Sequence, residues 1–373
     1  MKKQRITFFR MFFTIVFAAF MLALFTSCDL PKRYAVGIED EIIVVADSLE
    51  YLELESELNA VFAKLIYTPQ GEPLFSLRRK DYADLESIQN RKNIIILAPI
   101  GTDSYPSQFI RSILDTNVRK MVDDGDEFVF NKYDLWAGSQ LVMILTGRNF
   151  AEMKTNIMKE SENLLYYFQT LSNKRLKRNL YSERYEKKEI QGTLLKDYGW
   201  VMYVQADFHL ALNKPEDNFV WLRRAPGSDM ERWVFIHWID DASPSLLDQD
   251  SVTNIRERIT EKFYRTSDDS AYVEITPQPF QPIIKEVNFL DRYAIMSQGF
   301  WRFSDKSGGG PFINYTFYDE DTKRLYMLDG SIYAPKYYKK KLIQQVDVLL
   351  QSFMTEAELT QDRKDELLSA VED

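Results

Sequence analysis

The feature that most constrains this chain is Cys28, the only cysteine in 373 residues, which stands three positions after the end of the longest apolar run. That run, Met11 to Phe25, is interrupted only by Thr14 and follows a start rich in lysine and arginine. It is about fifteen residues long, which is typical of a secretory signal peptide and shorter than the ~20 residues of a membrane-spanning helix. Because no thiol remains beyond Cys28 for a disulfide, burial must stabilise the fold.

Residues 24–28, Leu-Phe-Thr-Ser-Cys, resemble a lipobox, the processing signal of bacterial lipoproteins. The small residues Thr26 and Ser27 give a peptidase access to the backbone, and the thiol of Cys28 is the nucleophile that accepts diacylglycerol. Phe25 departs from the common pattern, which prefers leucine at that place. An ordinary secretory signal followed by an incidental cysteine is the alternative interpretation.

Lipidation would determine where the mature chain resides. We expect residues 1–27 to be removed as a signal peptide and residues 28–36 to form a tether to the membrane through lipid on Cys28. Two or more acyl chains hold a protein stably on a bilayer. Removing the signal takes four basic and no acidic residues from a chain that has 47 basic and 56 acidic ones. The mature chain is therefore strongly acidic, and we expect no nucleic-acid partner.

The length of the chain suggests two domains. The first, residues 37–188, is predicted to be an α/β layer domain. Its segment Asn93 to Pro99 is apolar on both faces, which is typical of a central strand covered on each side. A helix with an apolar stripe from Phe150 to Leu171 closes this domain. The basic segment Asn173 to Lys188 is interpreted as the exposed end of that helix and the connection between the domains.

The second domain, residues 189–354, is predicted to be a mostly antiparallel sheet with helices packed on it, which makes the fold class α+β with an α/β first part. Its helices are expected at Ser251 to Tyr264 and at Tyr337 to Phe353. Residues 355–373 are expected to form an acidic C-terminal tail that frays. This order of elements resembles the photosystem extrinsic-protein, or PsbP-like, fold. Six segments have strand-type composition: Tyr198 to Leu212, Asn218 to Arg224, Arg232 to Asp240, Lys285 to Met296, Phe312 to Tyr318 and Arg324 to Tyr333.

Five short segments resemble a known family: Arg91 to Ile96, Asp217 to Arg224, Gly299 to Arg302, Gly309 to Phe312 and Tyr333 to Lys336. They are similar to the family called domain of unknown function 4837, which comprises lipoproteins of the Bacteroidetes group. The resemblance runs from about Gly37 to Phe353. It implies an outer-membrane lipoprotein and brings no activity, cofactor or catalytic residue. Because residues 28–32 lack the acidic run that accompanies surface export in that group, the expected location is the outer membrane, facing the periplasm.

The chain offers few residues for metal or nucleophilic chemistry. Both of its histidines, His209 and His237, have apolar neighbours in predicted strands, and we interpret them as buried sheet residues. With no second cysteine available, we expect no zinc site and no cofactor. No Gly-x-Ser-x-Gly motif occurs. The glycines at 308–310 lead into Pro311 and a predicted strand, so they predict a loop between strands rather than a phosphate-binding loop.

One grouping of aromatic and basic residues is a candidate binding face: Trp221, Arg223, Arg224, Trp301 and Arg302. An exposed tryptophan beside an arginine can stack on a sugar ring or hold an anionic group. The alternative is tryptophan in the core with arginine at its edge. The leading hypothesis is a non-catalytic binding or scaffolding module with an envelope glycan or protein as its partner.

Acidic pairs lie where turns are predicted, among them Asp240-Asp241 and residues 319–321. Two carboxylates facing each other across a cleft can hydrolyse a glycosidic bond, so the alternative hypothesis is an envelope glycan or peptide hydrolase that uses Asp and Glu. Solvated turns are the simpler interpretation. Three short sequences also fit an O-glycosylation pattern of the same bacterial group, at Ser48, Ser251 and Ser270.

Overall fold

The computed structural model describes residues 32–372 and divides them into two compact units. Unit 1 contains the chain up to Glu55 together with Leu77–Asn156, and unit 2 contains Ser56–Ser76 and the chain from Ile157 onward. The expected signal peptide, Cys28 and the first part of the tether lie outside the described residues. The domain boundary at residue 188 stays a prediction.

Unit 1 is built on a five-stranded sheet with the order β4-β1-β5-β7-β6. Strands β1, β5 and β7 run parallel, and β6 pairs antiparallel with β7. Every residue of β5 and β7 is buried, so the central strand predicted around residue 93 is confirmed. The five strands are β1 (Glu41–Val45), β4 (Ser76–Lys80), β5 (Asn93–Leu97), β6 (Val129–Tyr133) and β7 (Leu141–Leu145).

All but one of the helices described within the first 160 residues begin at side chains that cap their free N–H groups. Asp47 accepts a hydrogen bond from Leu49 N at 3.1 Å, as its position before a helix predicts. Asp115 accepts from two backbone N–H groups in the same way. The helices are α1 (Ser48–Phe62), α2 (Leu85–Ile88), α3 (Tyr105–Ile113), α4 (Thr116–Asp124) and α5 (Phe150–Lys159).

Unit 2 is dominated by an eight-stranded antiparallel sheet, as predicted. Its order is β12-β14-β15-β16-β11-β10-β9, and β13 also pairs with the long β14. Two small pairs lie apart from it, β2 (Leu65–Tyr67) with β3 (Gly71–Pro73) and β8 (Trp200–Val201) with β17 (Met354–Thr355). The strands of the large sheet are β9 (Phe208–Lys214), β10 (Phe219–Arg224), β11 (Glu231–Ile239), β12 (Val273–Thr276), β13 (Ile283–Phe289), β14 (Arg292–Phe303), β15 (Gly309–Asp319) and β16 (Arg324–Tyr333).

Helices cover both faces of this sheet. One face packs against Val252, Ile255 and Ile259 of α8, and the other against apolar residues of α9 such as Val346 and Leu350. Asp248 caps α8, so this helix begins before the serine at which the sequence places its start. None of the helices within residues 32–372 has both the length and the apolar character needed to span a bilayer. The helices of unit 2 are α6 (Ser161–Leu180), α7 (Lys188–Tyr198), α8 (Gln249–Phe263), α9 (Lys340–Leu350) and α10 (Gln361–Glu372).

The expectation that the acidic C-terminal residues fray is wrong. They form α10, whose Leu367 is completely buried and packs with Leu195 and Val201. Arg363 adds ion pairs to Glu186 and Glu366. The apolar residues of this acidic segment therefore face α7, a pairing that composition alone does not reveal.

Candidate functional site

The residues of the candidate binding face do not form an exposed surface. Trp221 and Trp301 are 7% and 1% exposed, and both belong to the core beneath α8. Trp233 lies between them, with ring centroids 5.9 Å from Trp221 and 4.9 Å from Trp301. The hypothesis of an exposed tryptophan face is therefore wrong, and the alternative of core tryptophans is confirmed.

The arginines of the same grouping point to different sides of their strands. Arg223 lies over the ring of Trp221 at 4.9 Å and donates to Glu231 at 2.5 Å. Arg224, the next residue along β10, forms an ion pair with Asp207. Arg302 donates to Glu274 at 2.7 Å. Because neighbouring strand residues point to opposite faces, these five side chains cannot form one binding surface.

The two histidines differ from each other. His237 is buried, its Nδ1 lies 2.9 Å from the backbone oxygen of Asn218, and burial lowers its pKa to about 4. His209 is exposed, which corrects the expectation that both are buried. It lies on β9, the edge strand, where Phe208 points inward and His209 outward. Among the residues from 32 to 372, no three His, Cys, Asp or Glu side chains are grouped as a metal site requires.

A groove lies at one end of the unit 2 sheet, where the β13–β14 turn, the β15–β16 turn and the segment after β11 meet. It consists of two depressions of about 710 and 640 Å³ that share Asp321 in their walls. We call this feature the acidic groove, because eight carboxylates and three cationic side chains line it. The carboxylates are Asp240, Asp241, Asp291, Asp319, Glu320, Asp321, Glu356 and Glu358, and the cations are Arg292, Arg324 and Lys364.

The two arginines of the acidic groove are held in fixed positions. Arg324 donates to Asp240 and to the backbone oxygen of Tyr198, each at 2.6 Å. Arg292 forms ion pairs with Asp319 at 3.1 Å and with Glu358 at 2.9 Å. Burial by itself lowers the pKa of Arg292, but these two carboxylates raise it above its ordinary value. Both arginines therefore stay charged and neutralise the carboxylates that they contact.

The remaining negative charge of the acidic groove lies on its rim. Asp241, Asp291, Glu320 and Asp321 are exposed and have no ion-pair partner among residues 32–372. Asp241, Glu320 and Asp321 lie in turns that the sequence predicts. No pattern in the sequence indicates that these turns are neighbours. Their proximity follows from the pairing of β11 with β16, which aligns Ile239 with Leu325.

The two halves of the chain match different family models. Residues 35–181 match the model of a domain of unknown function, DUF8532. Residues 186–352 match that of the domain of unknown function DUF4837, so the resemblance expected from Gly37 to Phe353 holds for the second half only. No curated protein matches the sequence. The strands of the large antiparallel sheet thus lie within the part of the chain that matches the DUF4837 model, residues 186–352.

Proposed function

We propose that this chain is a lipid-anchored protein of the bacterial cell envelope and that its unit 2 binds a positively charged partner in the acidic groove without catalysing a reaction. The anchor is proposed from the sequence, in which Cys28 follows an apolar run at the place of a lipobox cysteine. The location proposed with it is the outer membrane, on the periplasmic side.

The binding proposal rests on the charge of the acidic groove. Eight carboxylates face three cations there, and four of the carboxylates are unpaired on the rim. A concave surface with a net negative charge concentrates field lines and attracts ligands of the opposite sign. With depressions of about 710 and 640 Å³, the groove has room for several side chains. A lysine- and arginine-rich segment of another envelope protein has the charge and size that fit.

The hydrolase hypothesis would use carboxylates of the same groove. Glycoside hydrolysis needs two carboxyl groups across the substrate, one of which gives up a proton. Asp240 and Asp319 are engaged by Arg324 and Arg292, which leaves the rim carboxylates to face a ligand. This arrangement favours binding over hydrolysis.

Replacement of Cys28 tests the anchor. The variant Cys28→Ala cannot accept diacylglycerol, so we expect unprocessed precursor or soluble protein, with no acyl mass in mass spectrometry. A variant that is processed and fractionates with membranes like the parent would refute the lipid anchor.

Titration with a short lysine- and arginine-rich peptide tests the acidic groove. The triple variant Asp241→Asn/Glu320→Gln/Asp321→Asn should bind this peptide about tenfold more weakly at low salt, since each exposed charge contributes up to about 1 kcal/mol. Binding by the parent should weaken as salt increases, because salt screens exposed charges. Isothermal calorimetry measures both effects.

A charge-matched control separates the groove from the overall negative charge. The variant Asp123→Asn/Asp124→Asn/Asp126→Asn removes three exposed carboxylates from unit 1. It should bind the peptide like the parent, and an equal loss in both triple variants would refute the groove as the site. Cleavage of the peptide over time would favour the hydrolase instead.

A further inference from the structure

The first described residues are fixed to unit 1 by backbone hydrogen bonds. Ala35 N donates to Gly138 O and Val36 N to Asn90 O, each at 2.8 Å. Gly138 N donates back to Arg33 O at 2.8 Å. These partners precede β5 and β7, so the segment lies where these parallel strands begin.

The attachment begins at the first described residue. Lys32 Nζ donates to the backbone oxygens of Asp134 and Leu135 at 2.6 and 3.0 Å. Only three residues separate Lys32 from Cys28. Even fully extended, the chain from Cys28 to Lys32 spans at most about 14 Å. A domain of this size is roughly 30 Å wide, so a lipid on Cys28 can bring only this end of unit 1 to a bilayer.

The surface at this end combines apolar and basic side chains. Tyr34, Val36 and Ile38 are 63%, 49% and 56% exposed. Tyr133, which pairs with Leu141 at the start of β7, is 53% exposed at the same end. The basic residues Lys32, Arg33 and Lys132 are exposed at the same end. Aromatic, aliphatic and basic side chains together are typical of surfaces that lie in the headgroup region of a membrane.

We propose that Tyr34, Val36, Ile38 and Tyr133 form a membrane-contact face, which lies on the phospholipid bilayer that holds the lipid of Cys28. This inference rests on the proposed lipid anchor and adds an orientation of unit 1. The short tether selects this end of the unit, and the exposed apolar side chains enter the interface. Arg33 and Lys132 contact lipid phosphates, whereas the ammonium group of Lys32 is engaged by backbone oxygens of unit 1.

Fluorescence quenching in vesicles of phosphatidylethanolamine and phosphatidylglycerol tests the orientation. The lipidated chain is labelled through Tyr133→Cys or, as a matched control, through Tyr105→Cys. Tyr105 is 71% exposed and begins α3, beyond the opposite end of β5. Brominated lipids should quench the label at position 133 at least twofold more than the label at position 105. Equal or reversed quenching would overturn the proposal.

A lengthened tether separates contact from mere proximity. A glycine–serine insertion after Asp29 should leave the quenching at position 133 unchanged if the face itself binds lipid. The same insertion combined with Tyr34→Ser/Val36→Ser/Ile38→Ser should abolish it. Loss of quenching upon insertion alone would show that the face has no affinity for lipid, and would refute the proposal.

Vesicle flotation and intact mass distinguish this proposal from the lipid anchor. A chain that carries acyl chains and floats with vesicles, but shows no preferential quenching at position 133, refutes the membrane-contact face alone. A chain that has no acyl mass and does not float refutes both. The urea-unfolding midpoint of the serine variant should match that of the parent, since the three replaced side chains are exposed.

Discussion

Arg256 of α8 donates through Nε to the carboxylate of Asp329 on β16 across 2.7 Å, and the two side chains are 1% and 0% exposed. Asn314 and Ser331 donate further hydrogen bonds to the same carboxylate, at 3.3 and 2.9 Å. The guanidinium also lies 3.7 Å from the ring centroid of Phe312. This buried ion pair joins α8 to the sheet.

Breaking this buried pair should destabilise unit 2. Arg256→Ala leaves the carboxylate of Asp329 buried without its cation, which costs about 3–5 kcal/mol of unfolding free energy. Lys336→Ala breaks the exposed pair with Asp229 and should cost less than about 1 kcal/mol. Urea unfolding measures both variants. If Arg256→Ala and Lys336→Ala lost equal amounts of unfolding free energy, the buried pair would not be what holds α8 on the sheet.

Truncation of Trp301 should lower the free energy of unfolding, which the same urea-unfolding assay measures. Trp301→Ala removes a side chain that is 1% exposed and should cost about 3–5 kcal/mol. The neighbouring Arg302→Ala, which breaks only the partly exposed pair with Glu274, should cost less than about 1 kcal/mol. A Trp301→Ala variant as stable as the parent would contradict its place in the core.

The hydrophobic pattern of the sequence predicts the strands of both sheets, but it does not predict the acidic groove. The segment from Asn93 is apolar on both faces, and this pattern is sufficient to predict a central strand. Alternation along β10 correctly places Trp221 and Arg223 on one face. It does not reveal that α8 covers that face. The acidic groove depends on the pairing of β11 with β16, a long-range contact that no local pattern encodes.

The buried His237 should make the stability of the fold sensitive to mild acid. Its pKa is about 4 in the folded chain, below the ordinary value of 6.5. At a pH below 6.5, His237 binds a proton in the unfolded chain but not in the folded chain. The free energy of unfolding therefore falls as the pH decreases toward about 4. The expected loss between about pH 7 and pH 5 is about 2 kcal/mol.

Two variants isolate the contribution of this histidine. Urea unfolding of His237→Gln at these two pH values should show a smaller loss than the parent shows. His209→Gln, which changes an exposed histidine, should keep the parent's pH dependence. If His237→Gln also showed the parent's pH dependence of unfolding, other groups would be responsible for the sensitivity to acid.

The close contact between α7 and α10 should not tolerate a side chain at Gly192. A Cβ atom there would lie 2.1 Å from the backbone oxygen of Leu367, so Gly192→Ala must push α10 away. We expect trypsin to cleave this variant early after Arg363 or Lys364, which the parent protects within the packed helix. Gly101→Ala is the matched control, since a Cβ there has no neighbour within 4 Å. Mass spectrometry of the fragments identifies the cut, and equal cleavage of Gly192→Ala and the parent would show that α10 does not depend on this contact.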